Sequence, residues 1–185
     1  MLAVKRTGMA LVELLVVLVI VAILCAIALP SMRSMVQAAR LDTAANDLFG
    51  AIDLTRSQAI ARGDKVQLVP LEPGGANWSQ GWVVFVDNDG DRRPGPGEEV
   101  IASHGPVAEG IVFTFNFTGN TLPYYIAYGA SGRSCRDTSS VAARFGTISL
   151  HQDGYIRRIK INMLGRARMC RPEHDSSCDG QDSGG

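Results

Sequence analysis

The sequence predicts an α+β fold in which one long N-terminal helix packs on antiparallel β-sheet. Three observations predict it: an apolar run over residues 9–29, a helical spacing of apolar residues over 30–63, and short strand-like segments from Lys65 onward. The chain has 185 residues and no net charge. That length is enough for one globular domain and a membrane anchor.

The apolar run over residues 9–29 contains one charged residue, Glu13, and follows a short basic segment. As a helix it would be about 32 Å long, enough to cross a hydrocarbon core of about 30 Å. Because basic flanks stay in the cytoplasm, we expect the C-terminal body outside it. A secretory signal is cut after its apolar segment. Here Gly8 precedes that segment, so cleavage at Gly8 would remove residues 1–8 and keep the helix.

Glu13 is unusual because a carboxylate inside an apolar membrane helix costs about 3 kcal/mol. A new amino terminus on a neighbouring subunit would compensate this charge. The alternative, that Glu13 lies near the membrane interface and is tolerated there, stays open from its position alone.

The segment GMALVELLVVLVIVAILCAIALP resembles the class III leader and N-terminal helix of type IV pilins and type II secretion pseudopilins. The resemblance implies that a prepilin peptidase cuts after Gly8 and methylates Met9, a position where phenylalanine is commoner. It implies that Glu13 neutralises the next subunit's amine and that Pro30 bends the helix. We therefore expect a single-pass protein of the bacterial inner membrane with a periplasmic C-terminal domain. Its partners would be other pilins or pseudopilins in a filament.

Residues 30–63 are predicted to continue the helix as an amphipathic segment, because proline can kink a helix without ending it. Gly63 provides a stop signal. One apolar stripe follows the helical spacing, formed by Leu41, Ala45, Leu48, Ile52 and Ala59.

Residues 64–171 are predicted to form a β-rich domain. Apolar and polar residues alternate over 111–117, which gives that strand one apolar face. Asp153-Gly154 is typical of a hairpin turn. The predicted strands cover residues 66–69, 82–86, 100–103, 111–117, 124–127, 147–150 and 155–161. Trp78 and Trp82 are expected in the core.

Three later blocks resemble the GspH/FimT group of pseudopilins and minor pilins. They are LDTAANDLFGAIDLTRSQAIARG in the helix, GWVVFVDNDGD in the first hairpin region, and GRAR at residues 165–168. The resemblance extends over nearly the whole of residues 8–168.

Residues 133–171 carry nine basic and two acidic side chains, a local charge of +7 that the neutral total conceals. Within them, GRAR resembles a GRxR motif of FimT-type minor pilins, which implies that Arg166 and Arg168 bind double-stranded DNA. Such binding would be to phosphate, independent of sequence and sensitive to salt. The surface could be widened by Arg157, Arg158, Lys160 and Arg171. The alternative is a purely structural, GspH-like or FimU-like subunit that touches only proteins.

Three cysteines fall outside the apolar run: Cys135, Cys170 and Cys178. A disulfide is expected outside the cytoplasm, and three single pairings are open. We favour Cys135–Cys170, because it would tie the C-terminal segment to the body. Cys178 lies in residues 172–185, which are predicted to form a flexible acidic tail.

We expect no metal, no cofactor and no catalysis. The acidic segment 87–91 differs from an EF-hand, since glycine comes fourth rather than sixth, and a hairpin loop is favoured. Cys170, His174 and Cys178 lack a fourth zinc ligand. No nucleophile motif or phosphate-binding loop occurs.

Overall fold

The computed structural model describes residues 9–119 and 121–178. Gly8, with the rest of the predicted leader, lies outside the described residues, and so do residues 179–185. The chain forms two compact units, Met1–Ala38 and Ala39–Gly185. One α-helix, α1, extends from Met9 to Arg62.

In the first unit, α1 presents exposed apolar side chains from Leu11 to Leu24. The helix continues through Pro30, whose side chain, like that of Met9, lies outside the described residues. Over the described part of the chain, no helix has both the length and the apolar character that crossing a membrane requires. The membrane span over residues 9–29 therefore stays a prediction.

In the second unit, the predicted apolar stripe of α1 is completely buried. Its five members are 0% exposed: Leu41, Ala45, Leu48, Ile52 and Ala59. The helix ends at Arg62, and Gly63 follows with φ of +66°. This left-handed conformation suits glycine and is a common way to end a helix. The predicted amphipathic helix and its stop are confirmed.

The first sheet has four antiparallel strands in the order β3-β2-β1-β5. They are β1 (Val66–Pro70), β2 (Trp82–Phe85), β3 (Val100–His104) and β5 (Ile126–Tyr128). All four correspond to predicted strands.

The second sheet, also antiparallel, has the order β10-β9-β8-β4. Its strands are β4 (Val112–Phe117), β8 (Gly146–Gln152), β9 (Tyr155–Ile161) and β10 (Ala167–Cys170). Asp153 and Gly154 join β8 to β9 with φ values of 46° and 87°, the positive angles of a tight hairpin turn. The predicted turn is confirmed.

A third, two-stranded sheet pairs β6 (Cys135–Arg136) with β7 (Ser139–Ala143). Neither of these strands is predicted from sequence, and β10 is not predicted either. β6 has only two residues, and β7 (SSVAA) and β10 (ARMC) contain few of the β-branched and aromatic residues that indicate a strand.

One hydrophobic core joins the stripe of α1 to both four-stranded sheets. Trp78 and Trp82 are buried in it, as predicted, and the ring of Trp78 lies 4.9 Å from that of Phe115 on β4. The core thus fixes the second sheet, and the predicted cationic residues lie on its strands β9 and β10 or directly beside them.

Candidate functional site

The GRAR segment forms the turn from β9 to β10 and the start of β10. The side-chain oxygen of Asn162 accepts hydrogen bonds from the backbone N–H groups of Leu164 and Arg166, each at 3.0 Å. Gly165 occupies the turn with φ of +77°. A Cβ at this position would lie 2.8 Å from the backbone nitrogen of Ser134. Glycine is therefore required here by both conformation and space.

The turn leaves Arg166 exposed. Its backbone is held by Asn162, but its guanidinium makes no hydrogen bond or ion pair within residues 9–119 and 121–178. The backbone of Arg166 is therefore fixed, whereas its guanidinium is exposed to solvent.

Arg168 lies opposite Lys160 in the register of β10 and β9, which places both side chains on the outer face of the second sheet. A segment after β10 covers them; we call residues 171–178 the C-terminal strap. The carbonyl oxygen of Ser177 accepts hydrogen bonds from Lys160 at 3.0 Å and from Arg168 at 3.1 Å. Arg168 also forms an ion pair with Asp175 at 3.3 Å. The strap therefore already engages both cations.

Arg158 lies deeper under the same strap. Its side chain is buried and donates a hydrogen bond to the carbonyl oxygen of Cys178 at 2.9 Å. Arg158 consequently serves the packing of the strap and is not presented to solvent.

The disulfide joins Cys170 to Cys178, with their Cα atoms 5.7 Å apart. The predicted pairing of Cys135 with Cys170 is wrong. Cys135 is a buried free thiol on β6, packed in a separate cluster with residues such as Phe85 and Tyr125, and burial raises its pKa. The strap instead folds back so that Cys178 lies beside Cys170, the last residue of β10. The sequence does not indicate this fold-back.

The strap is also more ordered than a flexible tail. Within residues 172–178, a 3-10 helix spans Ser176–Cys178, and the Cys178 N–H donates to the carbonyl of Asp175 at 2.9 Å. The Ser177 hydroxyl, hydrogen-bonded to Asp175, holds the pKa of that carboxyl below its usual value. The prediction of a flexible tail is therefore wrong for these residues. It was based on their polar composition, which does not show the hydrogen bonds that order them.

Arg157 and Arg171 point to a different partner, Asp42 on α1. Arg157 is only 4% exposed and forms an ion pair with Asp42, with a second contact at 3.3 Å. Arg171 donates to the same carboxylate at 3.1 Å. Hydrogen bonds from Arg157, with its charge and that of Arg171, lower the pKa of Asp42. This network connects the helix to the second sheet and to the strap.

Three of the six predicted cations therefore meet at one groove. Its volume is about 560 Å³, and its lining includes Lys160, Arg166 and Arg168 beside apolar and small residues such as Phe145 and Ala167. Of the three cations in the groove, Lys160 and Arg168 are also bound by the strap, and Arg157, Arg158 and Arg171 do not line the groove.

Among the other predicted site residues, Glu13 is exposed on α1 in the first unit. Its carboxylate contacts no cation among the described residues. Elsewhere, the loop from β2 to β3 is a hairpin connection, as predicted. It brings together four carboxylates, three from the acidic segment 87–91 and one from Glu98: Asp87, Asp89, Asp91 and Glu98.

Comparison with known proteins gives two family matches. Residues 44–165 match the family described as type II transport protein GspH, about two thirds of the chain. Residues 4–29 match the prokaryotic N-terminal methylation motif. A pilin-like protein of Thermus thermophilus, PilA1, is 38% identical over 99 residues, which are 54% of this chain. The match spans 60% of that relative's length.

Two solved structures share the fold. The type IV minor pilin FimU of Pseudomonas aeruginosa (strain PAO1) is 17% identical, with a TM-score of 0.57, over 78% of this chain and 96% of FimU. The minor pseudopilin EpsH of the Vibrio cholerae type 2 secretion system is 14% identical, with a TM-score of 0.50, over 72% of this chain and 98% of EpsH. Members of this family are structural pilins and pseudopilins. The chain therefore belongs to the GspH family and carries an N-terminal methylation motif.

Proposed function

We propose that this subunit is a non-catalytic component of a pilus-like filament that binds double-stranded DNA, without sequence preference, at the groove beside the β9–β10 turn. The observation that supports this most is the open guanidinium of Arg166, next to Arg168 and Lys160 in one groove. A guanidinium stays charged and binds phosphate oxygens in pairs. Such contacts give weak and salt-sensitive affinity, which suits repeated capture by a filament.

Assembly would follow the sequence of events that the methylation motif suggests. The apolar helix inserts in the inner membrane with the body in the periplasm. A prepilin peptidase then cuts after Gly8 and methylates Met9. The exposed apolar side chains of α1 between Leu11 and Leu24 need an apolar environment. We propose that helices of other pilins or pseudopilins provide it, with Glu13 compensating a neighbour's amine and Pro30 adjusting the direction of the helix.

A purely structural role is the second candidate, for a pilus or for a type II secretion filament. It is favoured by the internal use of the cations: Asp42 engages Arg157 and Arg171, while the strap engages Arg158. In that case the basic residues stabilise the fold, and the subunit contacts only proteins.

The two candidates are distinguished by duplex-DNA binding of the full chain in a non-ionic detergent, measured over a series of salt concentrations. For phosphate contacts, the logarithm of the affinity should fall linearly with that of the salt concentration, by about 0.9 per neutralised phosphate. Arg166→Gln should reduce that slope by about 1 and weaken binding about tenfold at low salt. Arg136→Gln is the matched control, since Arg136 is an exposed arginine on β6 outside the groove.

Equal DNA affinity of the wild type and the Arg166→Gln/Arg168→Gln double variant would exclude the groove as a DNA site. Absence of binding by the wild type at low salt would leave the structural role. Processing is tested separately, by N-terminal sequencing of the protein from its host. A methylated Met9 at the first position supports filament assembly, and an intact Met1 contradicts it.

A further inference from the structure

The loop between β2 and β3 gathers four carboxylates from different positions of one short segment. At least one oxygen of each lies within 4.8 Å of the others. Counted from the first of them, they occupy loop positions 1, 3, 5 and 12, which are carboxylate positions of a calcium-binding loop. They are Asp87, Asp89, Asp91 and Glu98.

Backbone N–H groups of the loop hold two of these carboxylates in place. Asp87 accepts a hydrogen bond from the N–H of Gly90 at 2.7 Å. Asp89 accepts one from the N–H of Asp91 at 3.1 Å. At the sixth position, where a calcium loop normally has glycine, Arg92 has φ of +62°. The missing glycine at this position therefore does not prevent the required turn.

An observation outside the loop points to a missing ligand. Gln67 lies on the neighbouring strand β1 and is completely buried. Its carboxamide is directed at the loop, where Nε2 donates to Asp87 Oδ2 at 2.5 Å. Its oxygen, Oε1, has no hydrogen-bond partner in the described part of the chain. A buried carbonyl oxygen without a partner is costly, and a cation held against Asp87 would give it one.

The basic side chains near the loop form no ion pair with the four carboxylates in the described residues. The two arginines within the loop bind other groups: Arg92 donates to Asp137 at 2.6 Å, and Arg93 donates to the carbonyl of Glu72 at 3.0 Å. Over residues 9–119 and 121–178, no basic side chain forms an ion pair with any of the four acids.

We propose that the four carboxylates and the buried Gln67 carboxamide form a calcium-binding site. The donors are all oxygen atoms, which Ca²⁺ prefers, and carboxylates that bind through one or both oxygens can supply the six to eight ligands it takes. Mg²⁺ demands a smaller octahedral shell and fits such a site less well. Binding would fix the β2–β3 connection to β1. This proposal does not depend on DNA binding, since the loop and the groove share no residue.

The test is calcium titration of the full chain in detergent after treatment with a chelator, followed by calorimetry. We expect one saturable site with a Kd of about 0.1–1 mM, the range of extracellular calcium modules. A saturating concentration of Ca²⁺ should raise Tm by roughly 5–10 °C, and Mg²⁺ should bind at least about tenfold more weakly.

Two variants of proposed ligands and one control variant make the result specific. Asp89→Asn removes the charge of an exposed ligand and should weaken Ca²⁺ binding about tenfold or more. The control is Glu109→Gln, which removes an exposed charge outside the loop and should bind Ca²⁺ like the wild type. Gln67→Met removes the buried oxygen at similar volume and should also weaken binding. Absence of saturable binding in the millimolar range would overturn the proposal, as would equal affinities of the wild type and Asp89→Asn.

Discussion

Asp42 on α1 forms an ion pair with Arg157 on β9, 115 residues later in the chain, and the Arg157 side chain is 4% exposed. Removal of one partner from such a pair leaves a buried charge without compensation. Because Asp42 is partly exposed, we expect Asp42→Asn to lower the free energy of unfolding by about 1–3 kcal/mol, below the cost for a fully buried pair. Urea unfolding followed by tryptophan fluorescence measures it.

The matched control for this prediction is Asp53→Asn. Asp53 is an exposed aspartate on the same helix, without an ion pair in the described residues. It should change the unfolding free energy by less than about 0.5 kcal/mol. If both variants lose the same stability, the contact between Asp42 and Arg157 does not stabilise the fold.

The same ion pair predicts how stability depends on acid. Hydrogen bonds from Arg157 lower the pKa of Asp42 in the folded protein, so that between the folded and unfolded pKa values the unfolded chain binds more protons. The stabilisation is complete above the unfolded value of about 3.9 and is lost as the pH falls through the folded pKa. Unfolding in urea at several pH values should show a shallower acid slope for Asp42→Asn than for the wild type. Identical slopes would assign the acid sensitivity to other carboxylates.

The sequence predicted those parts of the fold whose residues carry a local pattern. The stripe of α1, including Leu48 and Ile52, follows helical spacing, and the turn Asp153-Gly154 contains the residues that positive φ requires. Both signals come from neighbouring residues, so that no tertiary contact is needed to recognise them.

The candidate site was predicted only in part, because its partners are distant in sequence or belong to the backbone. Arg158 and Lys160 are held by carbonyl oxygens of Cys178 and Ser177, and a backbone acceptor has no side-chain signature. Arg157 pairs with Asp42 across the fold. The net charge of +7 over residues 133–171 is correct. Fewer of these charges are exposed than the sequence suggests, because Arg157 and Arg158 are buried.

Substitution of Gly165 by alanine should destabilise the protein more than the same substitution of Gly154. Gly165→Ala adds both the strain of φ at +77° and a close contact with the loop at Ser134. Gly154→Ala adds the strain alone, since Gly154 has φ of +87° and open space around its Cα. Left-handed conformation costs alanine about 1–2 kcal/mol, so we expect roughly that loss at Gly154 and a larger one at Gly165. Equal losses in urea unfolding would show that the contact with Ser134 relaxes without cost.

Loss of the disulfide should increase the exposure of Lys160 and Arg168. Cys178→Ser removes the Cys170–Cys178 bond, which closes the strap over Lys160 and Arg168. Without that closure the strap has more freedom to leave the sheet. The ammonium of Lys160 should then react faster with an acetylating reagent, by about threefold or more if the strap is open for most of the time. Lys65, which donates to the carbonyl of Asp137 on another part of the fold, is the internal reference.

The same variant connects the strap to the proposed DNA groove. If released Lys160 and Arg168 contact phosphate, Cys178→Ser should bind duplex DNA more tightly and with a steeper salt dependence than the wild type. Cys135→Ala is the control, because it removes a buried thiol and leaves the disulfide intact. Faster acetylation of Lys160 with unchanged DNA affinity would show that the strap opens but does not limit binding. Unchanged acetylation would show that the hydrogen bonds from Lys160, Arg158 and Arg168 hold the strap without its disulfide.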